Sequence, residues 1–437
     1  MKPQVLKGFR DYAPEEMMAR QLMLDKVRAV FESFGYMPLH TPALEYSEIL
    51  LGKYGDEGEK LLYRFLDNGG RDVALRYDLT VPLARFVGMN PTMRWPFRRY
   101  QIAPVWRAER PQRGRFREFY QCDADLIGID SPQADAECIL IDCGVMAALE
   151  MEEFTIQINH RGYLDGLLEA QGIGPTQVVP VMRVLDKVDK VSRDSMREML
   201  AQLGLGSGQV DVLAALGDIT GDHAARLRGG LELAAGSDKA RLAVERLEQV
   251  LALVEASAAD APVQFAPSVA RGLDYYTGIV YETFLPARYG VGSVMSGGRY
   301  NNLLGSMANR EIPAVGISLG IDRLLSALAS SEGGQTATVT RVMVCTMAGN
   351  EIDAARVAAR LRQELPAGGN GVELYPTDDK IKKQFDYANK RGIGFVVMVG
   401  AEEAAQKKVA LKNFETGEQV VVSEDELATR IIGSQPA

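Results

Sequence analysis

Apolar residues in "PEEMMARQLMLDKVRAVFESFG" recur at helical spacing, with Met23, Val27, Val30, Phe31 and Phe34 on one face. Pro14 suits the first turn and Gly35 the end, so the pattern predicts an amphipathic helix. In "YMPLHTPALE", Pro38 and Pro42 break any helix and predict an extended segment. A second helix is predicted over "SPQADAECILIDCGVMAALEM", capped by Ser131, with Pro132 first and Ile139, Leu140, Cys143, Met146 and Ala147 in helical register. Residues 60–128 read as strands and loops rich in arginine. "FTIQIN" has strand character and "RGYLDGLLEAQGI" helical character. From 175 to 258 helical pattern dominates, broken by glycines and poor in aromatics, which predicts a helical insertion. Strand character resumes in "APSVARGLDYYTGIVYETFL" and "GVGSVMSGGRYNNLLG", and "GISLGIDRLLSALAS" predicts a buried helix.

Residues 326–339, with the polar "SSEGGQTATVT", read as a linker. Strands and helices then alternate over 340–437 and finish in a hairpin turning at Thr416–Gly417. This is the pattern of a small α/β domain with a largely parallel core sheet, beside an antiparallel-leaning body over 1–325 that is interrupted by 175–258. A length of 437 residues with 46% apolar content fits two or three domains. The net charge of −9 excludes wholesale electrostatic coating of nucleic acid but leaves room for a local basic face. No run of ~18 apolar residues predicts a membrane span, and no leader pattern opens the chain, so a cytoplasmic protein is expected. Cys122, Cys138, Cys143 and Cys345 form no C-x-x-C pair, and His40, His160 and His223 are scattered, so no metal site is expected and the thiols read as reduced.

Candidate chemistry is densest in "WRAERPQRGRFREFYQCDADLIG". Arg107, Arg110, Arg113, Arg115 and Arg117 alternate with Glu109, Phe116, Phe119 and Tyr120 around a turn at Gly114. Guanidinium forks between rings suit phosphates and a flat base; a charged hairpin on a solvated face is the plainer alternative. Gln121, Asp123 and Asp125 alternate, hence share a strand face, and beside the arginines they suggest a pocket for a zwitterionic or cationic small molecule. Arg76, Asp78 and Thr80 alternate in the same way, either in a site or as strand-edge residues facing water. Arg323 among apolar residues is either a snorkelling surface group or an anion binder approached closely through Gly316 and Gly320. No P-loop and no G-x-G-x-x-G is present, so a bound nucleotide must be gripped by side chains.

These residues resemble histidyl-tRNA synthetase, a class II aminoacyl-tRNA synthetase family, over essentially the whole chain. "KGFRDYAPEE", "GYMPLHTPALE" (motif 1), "WRAER…FREFYQCDADLIG" (motif 2) and "VGISLGIDRLL" (motif 3) fit the class; "ARGLDYYTGIVYE" and "SGGRYNNLLG" fit the amino acid. "LRYDLT" and "QCDADL" look closer to the eukaryotic-type branch. The resemblance implies an α+β fold: a six-stranded antiparallel catalytic sheet with a helical insertion, a C-terminal α/β anticodon-binding domain, and a homodimer built on motif 1. It implies ATP-dependent activation of L-histidine and its transfer to tRNA(His), with Mg²⁺ entering with ATP and no dedicated metal site. Residue by residue, Arg107 is expected at the α-phosphate, Glu109 at the adenine amino group, Phe119 against the adenine, and Arg323 on its other face reaching the γ-phosphate. Asp78, Thr80 and Gln121 match positions around the substrate α-amino group. Asp125 and Tyr276 match those for the imidazole, with Tyr275 also in the histidine site. Gln112, Arg115 and Arg117 lie on the loop that meets the tRNA acceptor end. Arg271 is expected at the α-phosphate as the catalytic cation where many class II relatives use a metal. Asn301 and Asp322 depart from the Asp and Glu usual there. The nearest alternative is the noncatalytic synthetase-like regulatory subunit of ATP phosphoribosyltransferase, whose family generally lacks an intact "RGLDYYTG" and the C-terminal domain. A noncatalytic RNA-binding protein on this scaffold would not need Arg107, Arg271 and Arg323 together.

Overall fold

A computed structural model describes residues 2–52, 58–112, 114–187, 191–270, 276–308, 310–328, 338–366, 368 and 370–433. The linker assigned to 326–339 therefore lies largely outside the described residues. In chain order the strands are β1 (Met37–Pro38), β2 (Leu44–Tyr46), β3 (Arg64–Leu66), β4 (Asp72–Leu75), β5 (Phe97–Trp106) and β6 (Glu118–Ile127). Next come β7 (Thr155–His160), β8 (Val263–Phe265), β9 (Ile279–Phe284), β10 (Met295–Arg299) and β11 (Ala314–Gly320). The last are β12 (Thr340–Val344), β13 (Gly371–Leu374), β14 (Phe395–Met398), β15 (Lys408–Asn413) and β16 (Gln419–Ser423). Cα proximity divides the chain into two compact units: Met1–Asp11 with Arg20–Glu332, and Tyr12–Ala19 with Gly333–Ala437.

The first unit is built on a sheet of order β1-β5-β6-β11-β10-β9-β7-β8. It has eight strands where the resemblance implies six. The interior six are antiparallel throughout, and the additions are short edge strands paired in parallel, β1 on β5 and β8 on β7. Each strand of the central pair shows both faces to protein. On β6, Cys122, Ala124 and Leu126 enter the apolar core with Val27 and Phe31 of helix Pro14–Ser33 and Ile139 and Val145 of helix Pro132–Ala148. Ser131 caps the latter helix, accepting from Ala134 N at 3.2 Å, with Pro132 behind it. The opposite face of β6 carries the polar alternation. Among the described residues of 161–257 the elements are helices: Arg161–Ala170, Pro175–Leu185, Arg193–Gln202, Ser207–Ala214, a 3₁₀ turn at Ala215–Asp218, His223–Leu233 and Asp238–Ser257.

Three expectations are corrected. "TVPLARFVGM" is a helix, Thr80–Met89, so Arg76, Asp78 and Thr80 are not a strand row. Asp78 instead turns the chain, accepting from Thr80 N and Val81 N at 3.2 and 3.0 Å, the short-polar capping that outcompetes extension. "GISLG" belongs to β11, and only from Ile321 does a helix run, to Leu328; the buried run was long enough for either element until the ladder to β6 settles it. "NNLLGSMA" after β10 is likewise helical, Asn301–Ala308.

The second unit carries a sheet of order β13-β12-β14-β15-β16, parallel through β13, β12 and β14 and antiparallel in the closing hairpin. Val342, Val344 and Val397 pack against Val357 and Leu361 of helix Glu351–Glu364. Gly417 has a φ of 75° at the hairpin turn, a left-handed conformation that glycine adopts freely.

Candidate active site

Strand register lays out the site. Residues directly opposite share a face, and Gln101, Asp123, Ser318, Ser296, Glu282 and Gln157 form one polar row across six strands. The neighbouring row sets Arg99 beside Asp125 and then Gly316 and Gly298. Over this face opens a pocket of about 410 Å³, lined among others by Asp78, Thr80, Arg107, Glu109, Phe119, Gln121, Tyr276 and Arg323.

Motif 2 brings Arg107 into the pocket. Arg107 donates from Nε to the Tyr77 carbonyl at 3.1 Å, and its guanidinium carbon lies 4.3 Å from the Tyr77 ring centre and 5.1 Å from that of Phe119. Near two ring faces and bonded to a carbonyl, the fork is fixed in direction. Arg323 donates to the Ser293 carbonyl at 2.6 Å and lines the same pocket. Its neighbour Asp322 is buried and gathers the start of the chain: it accepts from Arg20 at 3.1 Å, Arg10 at 3.4 Å and Tyr120 N at 2.9 Å. The shorter carboxylate at 322 is therefore fully used in tying motif 3 to motif 2.

Beyond the lining residues the same sheet face carries a buried carboxylate, Asp125, which does not itself line the pocket. Asp125 pairs with the buried Arg99 at 2.6 Å and accepts from the Tyr300 hydroxyl. Burial raises its pKa, while Arg99 and Tyr300 pull it back. A Cβ on Gly316 would stand 2.0 Å from Asp125 Oδ1, so only glycine lets the carboxylate lie flat across β11. A Cβ on Gly298 would press on the Tyr276 ring at 2.8 Å, and one on Gly297 would press on the Tyr281 ring, so each glycine of "SGGRY" makes room for a different tyrosine. Burial pushes the Tyr276 phenol up, with Asp123 and Asp125 adding to it. Asn301 Oδ1 accepts from Ala314 N at 3.2 Å and Arg299 at 3.4 Å, a backbone-bracing role that amide chemistry serves as well as a carboxylate.

Not every expected residue faces the pocket. Arg76 is buried and spends its donors on the carbonyls of Thr41, Pro42 and Pro104, which fastens motif 1 to β5. Arg117 donates to the carbonyls of Glu109 and Lys7 at 3.0 and 3.3 Å, so it braces the hairpin base. Gln112 and Arg115 form the tip as an exposed bridge, with Arg115 lining the pocket mouth. Arg113, Arg271 and Tyr275 lie outside the described residues. Among the described residues no cluster of three or more His, Cys, Asp or Glu is arranged to hold a metal ion, and no helix is long and apolar enough to cross a membrane. Sequence reading missed Arg99, Tyr300 and Ser318. The alternation of Arg99 and Gln101 on β5 was the available signal, but only register shows that it meets Asp125 and Asp123.

With this geometry in hand, comparison with known proteins is decisive. The family model described as histidyl-tRNA synthetase matches residues 8–324, and that described as anticodon binding domain matches 341–433. The chain belongs to the histidyl-tRNA synthetase family. Curated histidine–tRNA ligases of Rhodopirellula baltica and Helicobacter hepaticus are each 42% identical to it; the first covers 96% of this chain and 95% of its own length, the second 96% of both. The crystal structure of a Nostoc histidyl-tRNA synthetase superposes with a TM-score of 0.89 at 32% identity over 100% of both chains. A Bacillus halodurans structure titled as an ATP phosphoribosyltransferase regulatory subunit/histidyl-tRNA synthetase gives 0.75 at 25% identity, covering 89% of this chain and 97% of its own. The synthetase likeness thus spans both units at the higher similarity.

Proposed function

We infer that this protein is a histidine–tRNA ligase: it joins L-histidine to ATP as histidyl-adenylate, releases diphosphate, and passes the histidyl group to tRNA(His). The observation that carries the reading is one pocket lined both by the cationic forks of Arg107 and Arg323 and by the carboxylates of Asp78, Glu109 and Glu282. A triphosphate and an amino acid with a polar ring would lie head to tail across it.

In the proposed mechanism the adenine lies against Phe119 with Glu109 at its amino group, and Arg107 holds the α-phosphate. Arg323 reaches the terminal phosphate. Asp78, Thr80 and Gln121 surround the α-amino group, and Asp125, Tyr275 and Tyr276 take the imidazole end. Paired hydrogen bonds there reject analogues lacking either nitrogen by orders of magnitude. The histidine carboxylate attacks the α-phosphorus in line, and charge grows on the non-bridging oxygens. Arg271 is assigned to that charge, a type of interaction worth about 3 to 4 kcal/mol. Mg²⁺ enters as part of the Mg–ATP substrate. Catalysis then rests on orientation and electrostatics, with no protein nucleophile. Gln112 and Arg115 are assigned to the acceptor end, a reading supported by their exposure at the hairpin tip, and Arg117 braces the hairpin base.

A homodimer through motif 1 is supported by exposed apolar side chains along that region, Met37, Leu44, Tyr46, Phe65 and Leu66. A cytoplasmic location goes with the reaction. The test is charging of a tRNA(His) transcript with labelled histidine and ATP. Charging that histidine alone supports is expected. Folded protein that charges nothing and captures an ATP phosphoribosyltransferase would establish the regulatory alternative.

A further inference from the structure

Asp123 stands in the middle of the polar row, 2% exposed, and no family motif gives it a task. Gln121 Nε2 donates to Ser318 Oγ at 2.7 Å. Ser318 stands directly opposite Asp123 in the β6–β11 register, and its hydroxyl acts on the Asp123 carboxyl as a hydrogen-bonding neighbour, pulling its pKa down. A hydroxyl has one proton; once it goes to Asp123, Oγ can only accept from Gln121. The Gln121 amide must then turn its NH₂ toward Ser318. Its carbonyl Oε1 is left buried and without a hydrogen-bond partner, on a side chain that lines the pocket. A buried unpartnered acceptor costs free energy unless a ligand satisfies it.

We propose that Asp123 is a positioning residue for the amino-acid substrate: through the Ser318 hydroxyl it holds the Gln121 amide with its carbonyl oxygen available to the cationic N–H groups of the amino acid. This rests on the histidine reading above and adds to it a residue that acts without touching substrate. Were the amide reversed, its NH₂ would confront an ammonium with like polarity. Arg99 of β5, Asp125 of β6, Asp78 ahead of helix Thr80–Met89, and Tyr276 face Asp123. Burial pushes the Asp123 carboxyl up to about 7, with Arg99 pulling down and Asp125 and Asp78 pushing up. Below that pH the carboxyl is protonated and can donate to Ser318, which releases the hydroxyl proton and with it the hold on Gln121.

The experiment is histidine-dependent pyrophosphate exchange between pH 6 and 8.5 for wild type, Asp123→Asn, Ser318→Ala and the double variant. At pH 8 each single variant is expected to raise KM for histidine about tenfold, leaving kcat and KM for ATP within about twofold. The double variant should be no worse than the weaker single, because both act through one amide. The ratio of variant to wild-type KM should shrink toward pH 6, a change that histidine's own titration, common to all four proteins, cannot produce. Additive effects, an equal change in KM for ATP, or a pH-independent ratio would overturn the proposal. If Asp123→Asn does not fold, Ser318→Ala and its pH profile decide alone. Absence of exchange in wild type would instead refute the histidine reading.

Discussion

Buried carboxylates set the chemistry of individual positions, and they differ in how many partners hold them. Asp125 has Arg99 and Tyr300, whereas Asp142 on the core side of the sheet is fully buried with the Thr283 hydroxyl as its hydrogen-bond partner. Burial pushes the Asp142 carboxyl up to about 7, with Thr283 lowering it. The folded protein therefore keeps a proton there that the unfolded chain gives up near pH 4. The contribution of Asp142 to stability should fall as pH rises from about 4 to about 7, by about 1.4 kcal/mol per pH unit, and level off above. Asp142→Asn is expected to remove that slope and to resist urea better than wild type at pH 8, by a few kcal/mol on the order of the same linkage; parallel urea midpoints across pH for the two proteins would refute it. At this scale the sequence was partly legible. The alternation of Gln121, Asp123 and Asp125 placed three side chains on one face from spacing alone. Arg99 was not legible, because a cross-strand partner is a matter of register, which no local pattern specifies. Arg76 and Arg117 show the converse: an arginine in a motif can be consumed by backbone carbonyls, and only the fold reveals it.

Among the elements, helix Pro132–Ala148 buries Cys138, Ile139, Ile141 and Val145 under the sheet. It also holds Asp135 against Arg299 of β10 at 2.7 Å, with Arg246 of helix Asp238–Ser257 on the other carboxylate oxygen. Its cap can be tested without touching the pocket: Ser131→Ala should cost about 1 kcal/mol of stability and leave KM for histidine unchanged. A shift in KM with no loss of stability would show that the helix is not the passive support described. Helices with strong caps were readable, since Ser131-Pro132 and the apolar spacing agree. Thr80–Met89 was hidden, because its entry depends on Asp78 capping two amides and "RYDLT" alternates as a strand would. The β11-to-helix junction was hidden for a different reason: an apolar run buried on both sides has neither period.

On the scale of the whole molecule, two units with separate cores divide the work. Strand–helix alternation made the second unit legible. Its helix Ile381–Lys390 buries Gln384 and Ala388 and exposes Lys382, Lys383 and Lys390. That face is expected either to lie on the RNA-facing side or to be an ordinary solvated one, and charge reversal distinguishes the two. Lys382→Glu with Lys383→Glu should raise KM for tRNA(His) by about tenfold, more at low salt, while pyrophosphate exchange stays at wild-type rate; equal loss in both assays would contradict the division. The central claim concerns the first unit, and it is tested most directly by pyrophosphate exchange without tRNA, comparing wild type, Arg107→Ala and Arg271→Ala with histidine and with other amino acids. The account predicts exchange by wild type with histidine alone, reduced about 10²- to 10³-fold in each variant. Exchange that survives both substitutions, or that proceeds equally well with other amino acids, would contradict it.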